Sequence, residues 1–177
     1  MSGHRNTAHR KTALVALAAA SLGCSVWLSP AALAIQASPW NGPYLLTFAA
    51  NQKTGTSMAA RQPETSQRAS YSFTSNCSTG VCVATVNNPP APKNQYEQRS
   101  VQFAWNGSQW VQQINRTWDC PLLGGLVEHD PARSITALTP GPDGTLTGVF
   151  HADIVGGACR GTVEMPVSAT PVSPPVI

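Results

Sequence analysis

Two histidines follow residue 34, and each stands beside carboxylates. In His151-Ala-Asp153 the imidazole and the acid are two positions apart. On a strand that spacing puts both on one face, along with Thr147 and Val149. An aspartate so placed can orient a histidine for acid–base work. No nucleophile is identifiable next to the pair. Ser57, in Thr54-Gly-Thr-Ser57-Met, lacks the Gly-x-Ser-x-Gly spacing of a nucleophile elbow. The expected role of His151 and Asp153 is therefore an outward polar face, since alternate strand residues commonly meet water. Glu128-His129-Asp130 gathers three titratable groups in sequence, but neighbours in an extended chain point to opposite sides. That stretch reads as a solvated loop before Pro131. No catalytic residue, cofactor or metal site is assigned.

The cysteines carry a clearer message. Cys77, Cys82, Cys120 and Cys159 lie beyond the N-terminal segment. Four thiols allow three pairings. Cys77 and Cys82 flank Ser-Thr-Gly-Val, so an antiparallel hairpin sets them opposite each other at disulfide range. Cys120 is then left for Cys159. A redox motif would keep two residues between its cysteines, and a zinc site would need ligand-like spacing that is absent elsewhere.

Disulfides call for an oxidising compartment, and the N-terminus supplies a route to one. Arg5, Arg10 and Lys11 precede an uncharged run from Thr12 to Leu28, and Ala32-Leu-Ala34 offers small residues for a signal peptidase. Residues 1–34 are thus expected to be a secretory signal peptide, cleaved after Ala34. Membrane attachment would follow only if the signal were retained or Cys24 lipidated. Cys24 fits a lipobox poorly, because Ser21 stands where an aliphatic residue belongs. Three of the 11 Lys+Arg residues lie in this segment and none of the 8 acidic residues do, leaving eight of each sign. A neutral remainder with no basic run excludes nucleic acid as an expected partner.

The elements that must position these groups are strands. Short alternating runs are divided by Gly, Pro and Asn: Trp40–Phe48, Ser70–Thr74, Val81–Val86, Ser100–Trp105, Trp110–Trp118, Ser134–Thr139, Thr145–Asp153 and Cys159–Val167. Asn106-Gly107 between two aromatic-rich runs is a strong hairpin signal. Its register is open: a two-residue turn pairs Phe103 with Trp110, a four-residue loop pairs Trp105 with Trp110. About eight sequence-adjacent strands predict an all-β fold, an antiparallel up-and-down barrel or strongly curved sheet stapled by two disulfides. A β-sandwich is the alternative. Thr56–Arg61 and Leu122–His129 could each form a helical turn, the first capped by Thr56 or Ser57. The single β domain is placed at residues 35–167, with a proline-rich tail at 168–177.

Trp40-Asn-Gly-Pro-Tyr44, Gly55-Thr-Ser-Met-Ala-Ala-Arg-Gln-Pro-Glu64, the Cys77/Cys82 hairpin and Trp105-Asn-Gly-Ser-Gln-Trp110 together resemble small secreted proteins of mycobacteria and related actinobacteria. That resemblance implies export and carries no established activity. A second similarity is to lipocalin-like β-barrels, which begin their first strand with Trp near Gly; here Trp40 and Gly42 stand in reversed order. It implies a barrel around a ligand cavity, and transfers no binding residue.

The expected function is a secreted or envelope-associated, non-catalytic β domain holding a small apolar ligand. Tyr44, Phe48, Phe103, Trp105 and Trp110 would line or guard its cavity, although small barrels are commonly filled by such side chains. The alternative is a surface module that uses aromatics as anchors for a protein or cell-wall partner. A hydrolase-like enzyme built on His151 and Asp153 ranks third.

Overall fold

In the stretch Val127–Pro140, every second residue from Asp130 to Leu138 is buried, and the residues between them are exposed or half-buried. The two-residue period is that of a strand with one face on a core. The same rule repeats along the chain in a computed structural model that describes residues 38–91 and 100–172. Eight strands result: β1 Gly42–Phe48, β2 Gln67–Asn76, β3 Val83–Val86, β4 Gln102–Trp105, β5 Trp110–Pro121, β6 Val127–Pro140, β7 Leu146–Ile154 and β8 Gly161–Pro171. Each pairs antiparallel with its sequence neighbour, and β8 pairs back onto β1, closing a barrel. The all-β barrel expectation holds. The sandwich alternative does not, because the β1–β8 pairing leaves a single continuous sheet.

Three details differ from the sequence reading. Glu128-His129-Asp130 is strand, not loop: β6 begins at Val127 and pairs with β5 across Cys120, Asp119 and Trp118. Pro131 is tolerated there because a strand residue can forgo its N–H where no ladder bond needs it. The last strand also outruns its expected end at residue 167. Ser168, Ala169, Thr170 and Pro171 pair with Thr47, Leu46, Leu45 and Tyr44. Closure demands this length, since β1 would otherwise keep an open edge. The inward period Val163, Met165, Val167, Ala169 continues until the prolines begin. Third, the strand expected from Ser134 is the second half of a longer one.

The hairpin at Asn106-Gly107 takes the four-residue register, with Trp105 opposite Trp110. Asn106 Oδ1 accepts from the N–H groups of Ser108 and Gln109, which stabilises the turn. A 3-10 turn, Met58–Arg61, follows Ser57, whose hydroxyl accepts from Ala59 N–H as a cap. Another, Leu123–Gly125, joins β5 to β6. The segment from Ala49 to Ser57 runs along β8. Thr54 and Glu164 exchange both backbone hydrogen bonds, and Ser57 N–H donates to Thr162 O. Gly55 lets this happen: its φ is +138°, and a Cβ there would stand 2.1 Å from Thr162 O.

Both expected disulfides form. Cys77–Cys82 closes the β2–β3 hairpin, and Cys120–Cys159 ties the end of β5 to the loop before β8. The residues read as a signal peptide, 1–34, and the tail beyond Val172 lie outside the described residues.

Candidate functional site

The barrel interior has two characters. One part is an aromatic plug. Trp40 stacks on Phe73 with ring centroids 4.0 Å apart, and it also meets Phe103 at 4.9 Å and Trp110 at 6.1 Å. Tyr44 meets Trp40 and Phe73 edge-on. All five rings are buried. Burial raises the Tyr44 hydroxyl above the usual tyrosine range. Trp40 precedes β1 and is fixed by Ser75: its backbone N–H donates to Ser75 Oγ at 2.8 Å, and that hydroxyl donates back to Trp40 O at 2.9 Å.

Of the five aromatics nominated from sequence, then, Tyr44, Phe103 and Trp110 belong to packed core. Trp105 and Phe48 are half-buried at its margins, against Trp110 at 5.4 Å and Phe150 at 6.0 Å. Trp40 and Phe73, which dominate the plug, are not among those five. Small barrels are commonly filled in this way.

The other part has fewer strands beside it among the described residues. β3 and β4 are only four residues long. β4 covers β5 only at Trp110 and Val111, and β3 covers β2 only from Phe73 to Asn76. Among the described residues, no strand lies beside Gln112–Pro121 on that side, or beside Gln67–Tyr71. Gln112, Ile114, Arg116 and Trp118 share the inward face of β5 with buried Trp110 and Cys120, yet all four are only half-buried. Tyr71, inward on β2, is likewise half-buried. The Arg116 guanidinium lies 5.7 Å from the Trp118 ring centre, a cation–π distance. Among the described residues it makes no ion pair with a carboxylate. The lining is therefore largely apolar and aromatic, with one amide, Gln112, and one cation, Arg116. Its signal was present in the sequence, as the period-two run from Trp110 to Trp118.

His151 and Asp153 do meet, on the outer face. His151 Nε2 lies 3.1 Å from Asp153 Oδ1, and Nδ1 lies 2.8 Å from Glu164 Oε1, directly across on β8. Burial lowers the affinity of the ring for a proton, but hydrogen bonds to Glu164 and Asp153 and their charges outweigh it, so the pKa is raised. Both ring nitrogens are engaged by acids, as suits a structural imidazolium. His129, outward on β6, pairs with Asp119 at 2.8 Å on an exposed surface.

A separate surface cleft of about 340 Å³ is lined by Ala50, Lys53, Arg61 and Glu64 among others. Lys53 Nζ is bound there by Glu64 Oε2 at 2.6 Å, and Gln67 Nε2 donates to the other carboxylate oxygen at 2.7 Å.

Comparison with known proteins gives a family. A family model described as the PknI serine/threonine-protein kinase sensor domain matches residues 37–175. Among solved structures, the monomer form of the M. tuberculosis PknI sensor domain is similar at 17% identity and a TM-score of 0.57, covering 80% of this chain and 94% of that one. The dimer form of the same domain is 19% identical with a TM-score of 0.45, over 60% and 74% of the two chains. No curated protein matches. The match, which spans all eight strands, makes this chain a member of the PknI kinase sensor domain family.

Proposed function

We propose that this domain is a non-catalytic sensor module, exported through its N-terminal segment, that holds a small, largely apolar ligand at the opening between β2 and β5. One observation carries the reading: inward-facing Ile114, Arg116, Trp118 and Tyr71 are left half-buried where β3 and β4 fall short. Concave apolar surface with a few placed polar groups is what small-molecule sites present. Arg116, held over Trp118, would receive an anionic or hydrogen-bonding end of the ligand. Membership of a sensor-domain family supports the same reading. The two disulfides favour an oxidising location outside the cytoplasm. Among the described residues, no helix is long and apolar enough to cross a membrane.

The test uses 1-anilinonaphthalene-8-sulfonate, an aromatic anion, on the folded chain, alongside native mass spectrometry of protein from its own host. We expect saturable fluorescence enhancement, weakened about tenfold in Arg116→Ala for the loss of one charged contact, with the melting temperature unchanged. No probe binding and no retained molecule would end the reading.

A second reading rests on a different feature. Leu123, Leu126, Val127 and Val155 are each exposed, in the segments next to the Cys120–Cys159 bridge. Exposed apolar side chains suit a protein or cell-wall partner, and crosslinking through these segments would favour it.

A further inference from the structure

Glu128 and Asp130 lie in a stretch whose sequence predicts a solvated loop, but β6 carries both to the inward face, with His129 between them pointing out. Asp130 is 3% exposed, and its Oδ2 has no hydrogen-bond partner among the described residues. Neither carboxylate takes part in an ion pair there. A buried carboxylate without a positive partner is costly to keep. The loop between β7 and β8 closes over the pair. Ala158 N–H donates to Glu128 Oε2 at 2.7 Å, and Val155 N–H donates to Pro131 O at 2.9 Å. Gly157, at φ +69°, lies flat against the Asp130 carboxylate: a Cβ there would stand 1.8 Å from Oδ1. The loop is thus shaped to the acid, and one acid oxygen is left unserved.

We propose that Glu128 and Asp130, under the 155–160 loop, bind a hard divalent cation, calcium foremost. One oxygen of the Glu128 carboxylate and one of the Asp130 carboxylate lie within 4.8 Å of each other. Two oxygens that share one calcium at about 2.4 Å each can be no further apart than that. The third group beside them, Cys120 Sγ, is locked in its disulfide and offers no thiolate. An oxygen-only donor set selects calcium, magnesium or manganese over zinc or copper. Calcium is the best suited, because it accepts irregular geometry whereas magnesium demands a near-ideal octahedron. Water and loop carbonyls would complete the shell. The bound ion would fasten the β7–β8 loop to β6 beside the Cys120–Cys159 disulfide. The site adjoins the opening between β2 and β5, because Trp118, which lines that opening, stands directly across from Asp130; the calcium test reads Asp130 and Glu128, and the probe test reads Arg116.

Two measurements on the full chain test it. Thermal unfolding is compared in EDTA and in millimolar calcium chloride, for the native sequence, Asp130→Asn and Glu128→Gln. We expect calcium to raise the melting temperature by about 5 °C in the native chain, not to do so in Asp130→Asn, and to act at least tenfold more weakly in Glu128→Gln. Terbium luminescence excited through tryptophan is the second readout, since Trp118 stands directly across from Asp130. We expect a signal that calcium displaces and that Asp130→Asn abolishes. An unchanged melting temperature with no terbium signal in the native chain overturns the proposal. So does an equal calcium response in Asp130→Asn, which would put the ion elsewhere.

Discussion

His151 on β7 faces Glu164 on β8 across the barrel's outer surface, Nδ1 to Oε1 at 2.8 Å, while its other nitrogen reaches Asp153. Only the imidazolium has an N–H for each acid; the neutral ring would turn a lone pair toward one of them. The same Glu164 holds the segment after β1 through its backbone exchange with Thr54. A charge switch on one side chain therefore adjoins the packing of a neighbouring segment.

The pH dependence follows in sign. The folded-state pKa of His151 is raised, so protonation favours the folded chain. Its contribution is complete below the unfolded histidine value of about 6.5 and is lost as pH rises through the higher folded value. Urea midpoints of the native chain and His151→Gln should differ most near pH 5 and converge near pH 9. The gap should stay below about 1 kcal/mol, as expected for ion pairs within reach of solvent. A gap that grows with pH would contradict the assignment.

The disulfides should differ in worth. On the chain-entropy model, Cys120–Cys159, with a sequence separation of 39, should contribute about 4 kcal/mol, and Cys77–Cys82, with a separation of 5, about 2 kcal/mol. Replacing each pair by alanine and measuring unfolding in urea tests the order. The larger loss should fall on the pair that is also fully buried, Cys120 and Cys159.

Gly55→Ala should loosen the segment after β1 and leave the barrel intact. The added methyl would meet Thr162 O at 2.1 Å on a backbone that side chains rarely adopt. A cost of about 2 kcal/mol is expected. Hydrogen exchange should report it locally: the Ser57 N–H should exchange faster, while the β5–β6 ladder keeps its protection. Unchanged exchange at Ser57 would show that the docking does not need glycine.

By itself the sequence determined what depends on near neighbours. Period-two runs specify strands, Asn106-Gly107 specifies a hairpin, and five residues of separation specify the Cys77–Cys82 staple. The alternation of Trp110, Gln112, Ile114, Arg116 and Trp118 on one face could be read the same way. What no local rule carries was decided by closure. Pairing β8 with β1 drew Ser168–Pro171 out of an apparent tail and into the sheet. Pairing β5 with β6 over twelve residues drew Glu128 and Asp130 out of an apparent loop and turned them inward. Among the described residues, the short β3 and β4 leave parts of β2 and β5 with no strand beside them, which depends on how the strands pair. The tertiary structure also chose between core and cavity for the aromatics, because Trp40, from before the first strand, fills the space that Phe73, Phe103 and Trp110 would otherwise have left. Backbone preference acts over a few residues, whereas the sharing of an enclosed volume is settled only when all eight strands meet.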